Sequence, residues 1–173
     1  MSETYAAGEQ VQGLERERAA ILSWLEGAAA MPINQEALFQ RTADLIHTKL
    51  STYNWVGFYM LDPADTSMLV LGPFAGAPTP HTRIPVTEGI CGAAVAQGET
   101  VVVDDVNSDP RYLSCSIETK SEIVAPIRVR GMIVGEIDID SHTAAAFTRK
   151  DRAFVERCAE ILGAYLEREP VSK

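Results

Sequence analysis

"EIVAPIRVRGMIVGEIDID", residues 122–140, is the stretch on which the fold reading turns. Two runs rich in Val and Ile flank Arg130-Gly131, and a two-residue break containing glycine between β-prone runs predicts a hairpin with strands over 122–129 and 132–140. In the second strand Glu136, Asp138 and Asp140 alternate with Ile137 and Ile139. Successive side chains on a strand leave opposite faces, so the acids share one face and the isoleucines the other. Glu122 opens the first strand and can join the acidic row across the hairpin. A solvated outer face explains such a row; so does the floor of a charged pocket, and the pattern alone leaves both open.

Upstream, "NWVGFYMLD" (54–62) and "SMLVLGPF" (67–74) are rich in aromatic and β-branched residues and are separated by "PADT", a second hairpin. A short strand is expected in "TRIPV" (82–86), a short helix in "TEGICGAAVAQGE" (87–99), and a further strand in "TVVVDDV" (100–106). "SDPRYLSCSIETK" (108–120) reads as a polar loop, of a length that in compact domains is often functional.

Helices close both ends. "LERERAAILSWLEGAAA" (14–30) carries Ile21, Leu22 and Leu25 among strong helix formers, and Asn34 can cap a second helix with Leu38, Leu45 and Ile46 on one face. Thr148 and Asp151 form a capping pair for a last helix whose Phe154, Cys158, Ile161, Leu162 and Tyr165 share a stripe. Trp24 is expected to pack the first helix, and His47 and His142 to lie at the surface. Helices at the ends and a largely antiparallel sheet in the middle define an α+β sandwich. Residues 1–13 are expected to be a flexible N-terminal segment and 14–173 one catalytic domain.

The 173 residues carry 46% hydrophobic and 23% charged residues with a net charge of -9. Phosphate binding needs a positive footprint, so this balance argues against nucleic acid and anionic membranes as partners. There is no basic leader with an apolar core and no apolar run of spanning length. The three cysteines are therefore read as thiols in a reducing, cytoplasmic setting.

Periodicity separates those cysteines. Cys158 falls on the apolar stripe of the last helix and reads as inert core. Cys91 sits at a predicted helix N-terminus, where the macrodipole favours a thiolate; a small residue in a Gly-rich turn explains it equally well. Cys115 stands in the polar loop with no apolar periodicity around it, either an accidental loop thiol or a reactive one.

Taken in order, "NWVGFYML", "LVLGPFAG", "TRIP", "EGICGAA", "ETVVVDDV", "SCSIETKSEIVAPI", "GMIVGEIDIDS" and "FTRKDRAFVE" resemble the free methionine-(R)-sulfoxide reductases, a GAF-domain family, over about residues 34–168. The resemblance implies a six-stranded antiparallel sheet flanked by helices, with loops closing a pocket over one face. It implies Cys115 as the catalytic thiol, Cys91 as its resolving partner in a transient disulfide, Glu122, Asp138 and Asp140 as substrate-binding carboxylates, and Trp55 and Tyr59 as an aromatic wall. Many bacterial members carry a third cysteine before "TRIP". Here that position is His81, either a neutral replacement or an imidazole that donates to the sulfoxide oxygen or steadies a thiolate.

The chemistry agrees with this assignment. A free amino acid carries an ammonium that a peptide-bound residue lacks, so clustered carboxylates in a sheltered pocket select the free form. Sulfoxide reduction needs a thiolate beside a carboxylic acid that its neighbours keep protonated, a part open to Glu122 and the aspartates. The expected partners are free methionine sulfoxide and a thioredoxin-like reductant supplied through NADPH, with no bound cofactor. A homodimer is compatible with the sequence. The competing expectation is a non-catalytic GAF module that binds a small ligand as a sensor. A metal site built from His81, Cys91 and Cys115 is not expected, because the three lack the paired spacing of zinc motifs.

Overall fold

The computed structural model describes residues 2–114 and 116–168, the first seven by backbone alone. Cys115, the expected nucleophile, lies outside the described residues.

The chain runs α1 (Ser2–Ala29), α2 (Gln35–Lys49), β1 (Trp55–Asp62), β2 (Asp65–Ala75), β3 (Arg83–Pro85), α3 (Gly89–Gln97), β4 (Val101–Val103), a single 3-10 turn (Val106–Ser108), β5 (Ser121–Val129), β6 (Met132–Ser141) and α4 (Arg149–Arg168). The six strands form one antiparallel sheet in the order β3-β2-β1-β6-β5-β4. Both expected hairpins are present. The β5–β6 connection places Arg130 and Gly131 at φ 52° and 81°. Two successive positive φ values make the primed turn whose twist matches that of the strands it joins, and Gly131 meets that requirement without side-chain cost.

Each face of the sheet buries a separate core. On one face α1, α2 and α4 cover Val56, Phe58, Ile123, Ile127, Ile137 and Ile139 with Leu25, Leu38, Phe39, Ile46, Val155, Cys158 and Leu162. Burying each such side chain contributes roughly 1.5–3 kcal/mol. Trp24 packs at the margin of this core, as expected. The opposite face carries Trp55, Tyr59, Leu69 and Val124 under Ile90, Cys91 and Ala94 of α3. The period-two alternation along β6 thus separates Ile137 and Ile139 from Asp138 and Asp140, onto two covered faces rather than one covered and one wet.

Local chemistry fixes the helix ends. The Asn34 side chain accepts from the backbone N–H of Ala37 at 2.8 Å and caps α2. At the head of α4, the Asp151 carboxylate accepts from Thr148 N at 2.9 Å and Thr148 Oγ1 at 2.5 Å, while Asp151 N reaches back to Thr148 Oγ1 at 3.4 Å. The same carboxylate takes a hydrogen bond from Tyr53 Oη at 2.6 Å and an ion pair from Arg18 of α1, so one buried acid joins three segments. Gly163 lets α4 approach β5 closely, because a Cβ there would stand 2.2 Å from the carbonyl oxygen of Arg128.

Two boundaries differ from expectation. Residues 2–13, expected as a segment apart from the first helix, continue α1 from Ser2, since the Ala, Glu and Gln of that stretch outweigh Gly8 and Gly13 in helix propensity. The strand expected over 100–106 ends at Val103 because Asp105 turns the chain, its carboxylate accepting from Asn107 N at 3.0 Å.

Candidate active site

Four carboxyl groups form the floor of the α3-covered face. Glu136, Asp138 and Asp140 project from β6, and Glu122 of β5 is the register partner of Asp140. Their exposures are 0%, 3%, 5% and 6% respectively, so the reading of this row as a solvated outer face is overturned. The covering helix comes from a distant part of the chain, which strand periodicity cannot reveal. Among the described residues no ion pair reaches any of the four. Both carboxyl oxygens of Glu136 and the Oδ1 of Asp138 have no hydrogen-bond partner among the described residues. Buried acids without cationic partners are costly, and the group meets that cost by holding protons.

The acids shift accordingly. Burial, with a hydrogen bond from Cys91 acting against it, raises Asp138 from 3.8 to about 7. Burial followed by the charges of Asp138 and Asp140 pushes Glu122 well above the usual carboxylate range, and burial likewise raises Glu136 and Asp140. Because these groups interact, protonation belongs to the cluster as a whole.

Cys91 lies in the first turn of α3, 4% exposed, with Sγ donating to Asp138 Oδ2 at 3.6 Å. The expectation that its helix terminus favours the thiolate is corrected here. Burial, and then the nearby Asp138, Glu136 and Glu122, push this thiol well above its ordinary value. One helix terminus is outweighed by desolvation and three acids at close range. Cys158 is buried within the apolar core, which raises its thiol too.

β1 supplies the wall. Trp55, Gly57 and Tyr59 are the register partners of Asp140, Asp138 and Glu136, so they share the acidic face. The Trp55 ring stacks on Phe74 with centroids 5.7 Å apart and lies 6.3 Å from the Tyr59 ring. Its Nε1 donates to Ala77 O at 3.0 Å, and Tyr59 Oη donates to His81 O at 2.7 Å, tying the wall to the loop between β2 and β3. The indole lies across Gly57, a position any larger residue would contest.

A cleft opens beside this wall, bordered by Trp55, Asp140, Thr79, Ser116, Thr119 and His142. Of the residues singled out in the sequence, Trp55 and Asp140 reach this cleft, whereas Tyr59, Cys91, Glu122 and Asp138 lie deeper in the same face. His81 sits at the side: its ring Nε2 is 3.1 Å from the carbonyl oxygen of Ser114, the residue before Cys115. Since a carbonyl only accepts, that contact calls for a proton on Nε2. His142, expected at the surface, is 42% exposed and stands at the cleft rim 3.8 Å from Glu118.

Three participants went unread in the sequence. Glu136 was visible as the in-phase neighbour of the aspartates but had no assigned part, and it proves the most deeply buried of the four. Gly57, an isolated glycine inside a strand, carried the signal for close approach of another group. Asn54, whose Oδ1 accepts from His142 N at 2.8 Å and which borders the cleft, carried no signal.

This architecture, a six-stranded antiparallel sheet with α1, α2 and α4 on one side and a pocket covered by α3 and loops on the other, is that of the GAF domain, and the GAF domain profile matches residues 34–166. The chain is similar to the free methionine-R-sulfoxide reductase of Escherichia coli, 41% identical over 115 residues that cover 66% of this chain and 67% of that one. It is 38% identical to protein YtsP of Bacillus subtilis over 86% of its own length and 90% of the relative's. Among solved structures, the free methionine-R-sulfoxide reductase of Neisseria meningitidis in complex with its substrate superposes with a TM-score of 0.81 at 36% identity, covering 87% of this chain and 88% of that one. The protein belongs to the free methionine-(R)-sulfoxide reductase family of GAF domains. Among the described residues no helix is long and apolar enough to cross a membrane.

Proposed function

We propose that this protein reduces free L-methionine (R)-sulfoxide to methionine. One observation carries the reading: four buried carboxyl groups share a face beneath Trp55, with no cation among the described residues to pair with them. A primary ammonium is the complement of such a floor, and a methionine sulfoxide inside a polypeptide has none to offer. Trp55 and Tyr59 supply the apolar surface for the side chain, and Asp138 and Asp140 the charge for the amino group.

The reaction then proceeds in three balanced steps. The Cys115 thiolate attacks the sulfoxide sulfur while the oxygen gains a proton, for which Glu122, held protonated by burial and its acidic neighbours, is suited. The hydroxyl then passes from the substrate sulfur to the Cys115 sulfur as the substrate's sulfur–oxygen bond and the transient sulfur–sulfur bond break, so that methionine leaves and Cys115 is left as a sulfenic acid. The Cys91 thiol attacks that sulfur, water departs, and a Cys91–Cys115 disulfide forms. A thioredoxin-like dithiol reopens it and takes the oxidising equivalents. Ser116, the residue after Cys115, borders the cleft, which supports delivery of the nucleophile from this loop. The raised thiol of Cys91 suits a resolving role better than a first attack, because a poor thiolate at neutral pH is a poor opening nucleophile.

A coupled thioredoxin and NADPH assay with both sulfoxide epimers, free and within a peptide, tests the reading. The expected result is NADPH oxidation with the free (R) epimer alone. Equal turnover of the peptide-bound form would overturn amine recognition. Binding without NADPH oxidation would mark a non-catalytic GAF module instead.

A further inference from the structure

We propose that Cys91, Glu122 and Asp138 form a binding site for a thiophilic divalent cation, zinc being the chemical prototype. One donor atom from each, the Cys91 sulfur and a carboxylate oxygen from Glu122 and from Asp138, lies within 4.8 Å of the other two. A tetrahedral zinc with bonds of about 2.0 to 2.3 Å sets its donors about 3.5 Å apart. The Cys91 Sγ to Asp138 Oδ2 separation, 3.6 Å, already meets that spacing. The Glu122 oxygen, within 4.8 Å of both, is the third donor.

The unpartnered groups point the same way. Asp138 Oδ1 and both oxygens of Glu136 are buried without a hydrogen bond among the described residues, and Glu136 is 0% exposed beside this cluster. A dication supplies what these oxygens lack. The donor set also selects among cations. Calcium and magnesium take oxygen ligands almost throughout, whereas one sulfur with two carboxylates suits zinc and its thiophilic neighbours. Three protein donors leave a fourth position for water, the pattern of an exchangeable site rather than a closed structural one. His81 takes no part, since its ring is directed to the Ser114 carbonyl.

Binding is an exchange of protons for metal: the Cys91 S–H bond breaks, a sulfur–zinc bond forms, and the thiol proton passes to solvent together with the protons that Glu122 and Asp138 hold. No oxidant or reductant is needed. The occupied site engages Asp138, which receives the substrate ammonium, and caps the thiol that resolves the sulfenic acid. Zinc therefore acts as a reversible competitor of the amino-acid substrate, a consequence that rests on the proposed function, whereas binding itself does not.

The test uses the full chain, reduced with a phosphine that does not chelate zinc. Calorimetric titration with zinc is expected to give one site per chain, and cobalt in its place a thiolate-to-metal charge-transfer band in the near ultraviolet. Cys91→Ser and Asp138→Asn are each expected to weaken zinc at least about tenfold, the effect of losing a ligand or its support. Cys158→Ala and Cys115→Ser are expected to retain the site. Absence of zinc binding to the wild type, retention after Cys91→Ser, or loss after Cys115→Ser would each overturn the assignment. In turnover, zinc is expected to raise the apparent KM and a chelator to reverse it; zinc bound through Cys91 with KM unchanged overturns the competition. Wild-type turnover in chelator alone reports on the reductase reading independently.

Discussion

The indole of Trp55 fills the space above Gly57: a Cβ at residue 57 would stand 2.1 Å from Trp55 Cη2. Gly57 faces Asp138 across the β1–β6 ladder, so the missing side chain is what lets an aromatic wall and an acidic floor meet. Gly57→Ala is expected to displace the ring and to cost about 1–3 kcal/mol, the usual penalty of overpacking. Urea unfolding measures the stability loss. In turnover KM is expected to rise severalfold with kcat less affected, and an unchanged KM would detach Trp55 from substrate binding.

The acidic floor makes stability depend on pH in a direction opposite to that of ordinary surface carboxylates. Asp138 is raised from 3.8 to about 7 by burial, so between those values the folded chain holds a proton that the unfolded chain has released. Its contribution is whole below the unfolded value and is lost as pH rises through the folded one. Glu122, Glu136 and Asp140 shift in the same direction and extend the decline. Thermal melts of the ligand-free protein from pH 5 to 8 are expected to show a falling Tm, and Asp138→Asn, which cannot ionise, a shallower fall. A Tm that climbs over this range would contradict the picture.

The two cysteines divide in single-turnover experiments. Cys91→Ser is expected to release about one methionine per chain and then stall with a sulfenic acid that dimedone traps, because formation of the acid does not need the resolving thiol. Cys115→Ser is expected to release none. Methionine from the Cys115 variant with none from the Cys91 variant would reverse the roles.

Away from the pocket, Asp151 is the joint between α1, α4 and the segment before β1. Its burial works to raise the carboxyl, but hydrogen bonds from Thr148 and Tyr53 and the charge of Arg18 hold it below the usual 3.8. Asp151→Ala leaves Arg18, whose Nε has no partner among the described residues, without its counter-charge. A loss of about 3 kcal/mol is expected, as for other broken buried pairs, with KM unchanged below the melting range. Because the wild-type group is depressed, its stabilisation is present above 3.8 and disappears as pH drops through its folded value, so only the wild type should lose this increment in acid.

How much of this was legible before the coordinates depends on how local the signal is. The hairpin at Arg130-Gly131, the Asn34 cap and the Thr148–Asp151 box depend on neighbours within a few residues, and all are where the sequence put them. The shared face of Glu136, Asp138 and Asp140 followed from the two-residue period of a strand. Its burial did not, because α3 covers it from another part of the chain. For the same reason the environment of Cys91 was misread: the helix terminus was visible in the Gly-rich turn, whereas the three acids beneath it come from β5 and β6. The extension of α1 to Ser2 was missed because the helix was read from Ile21, Leu22 and Leu25, which all lie well inside it.

β1 and β6 lie side by side at the centre of the sheet, yet Gly57 and Asp138, which face each other there, are separated by most of the domain along the chain. During synthesis β1 meets β2 at once through their hairpin, but its other edge waits until β6 has been made. A product interrupted ahead of residue 132 would leave β1 as an unpaired edge, a ready template for pairing with another copy. Exposure of that edge while the chain is made is the consequence of placing the two halves of one pocket so far apart along the sequence.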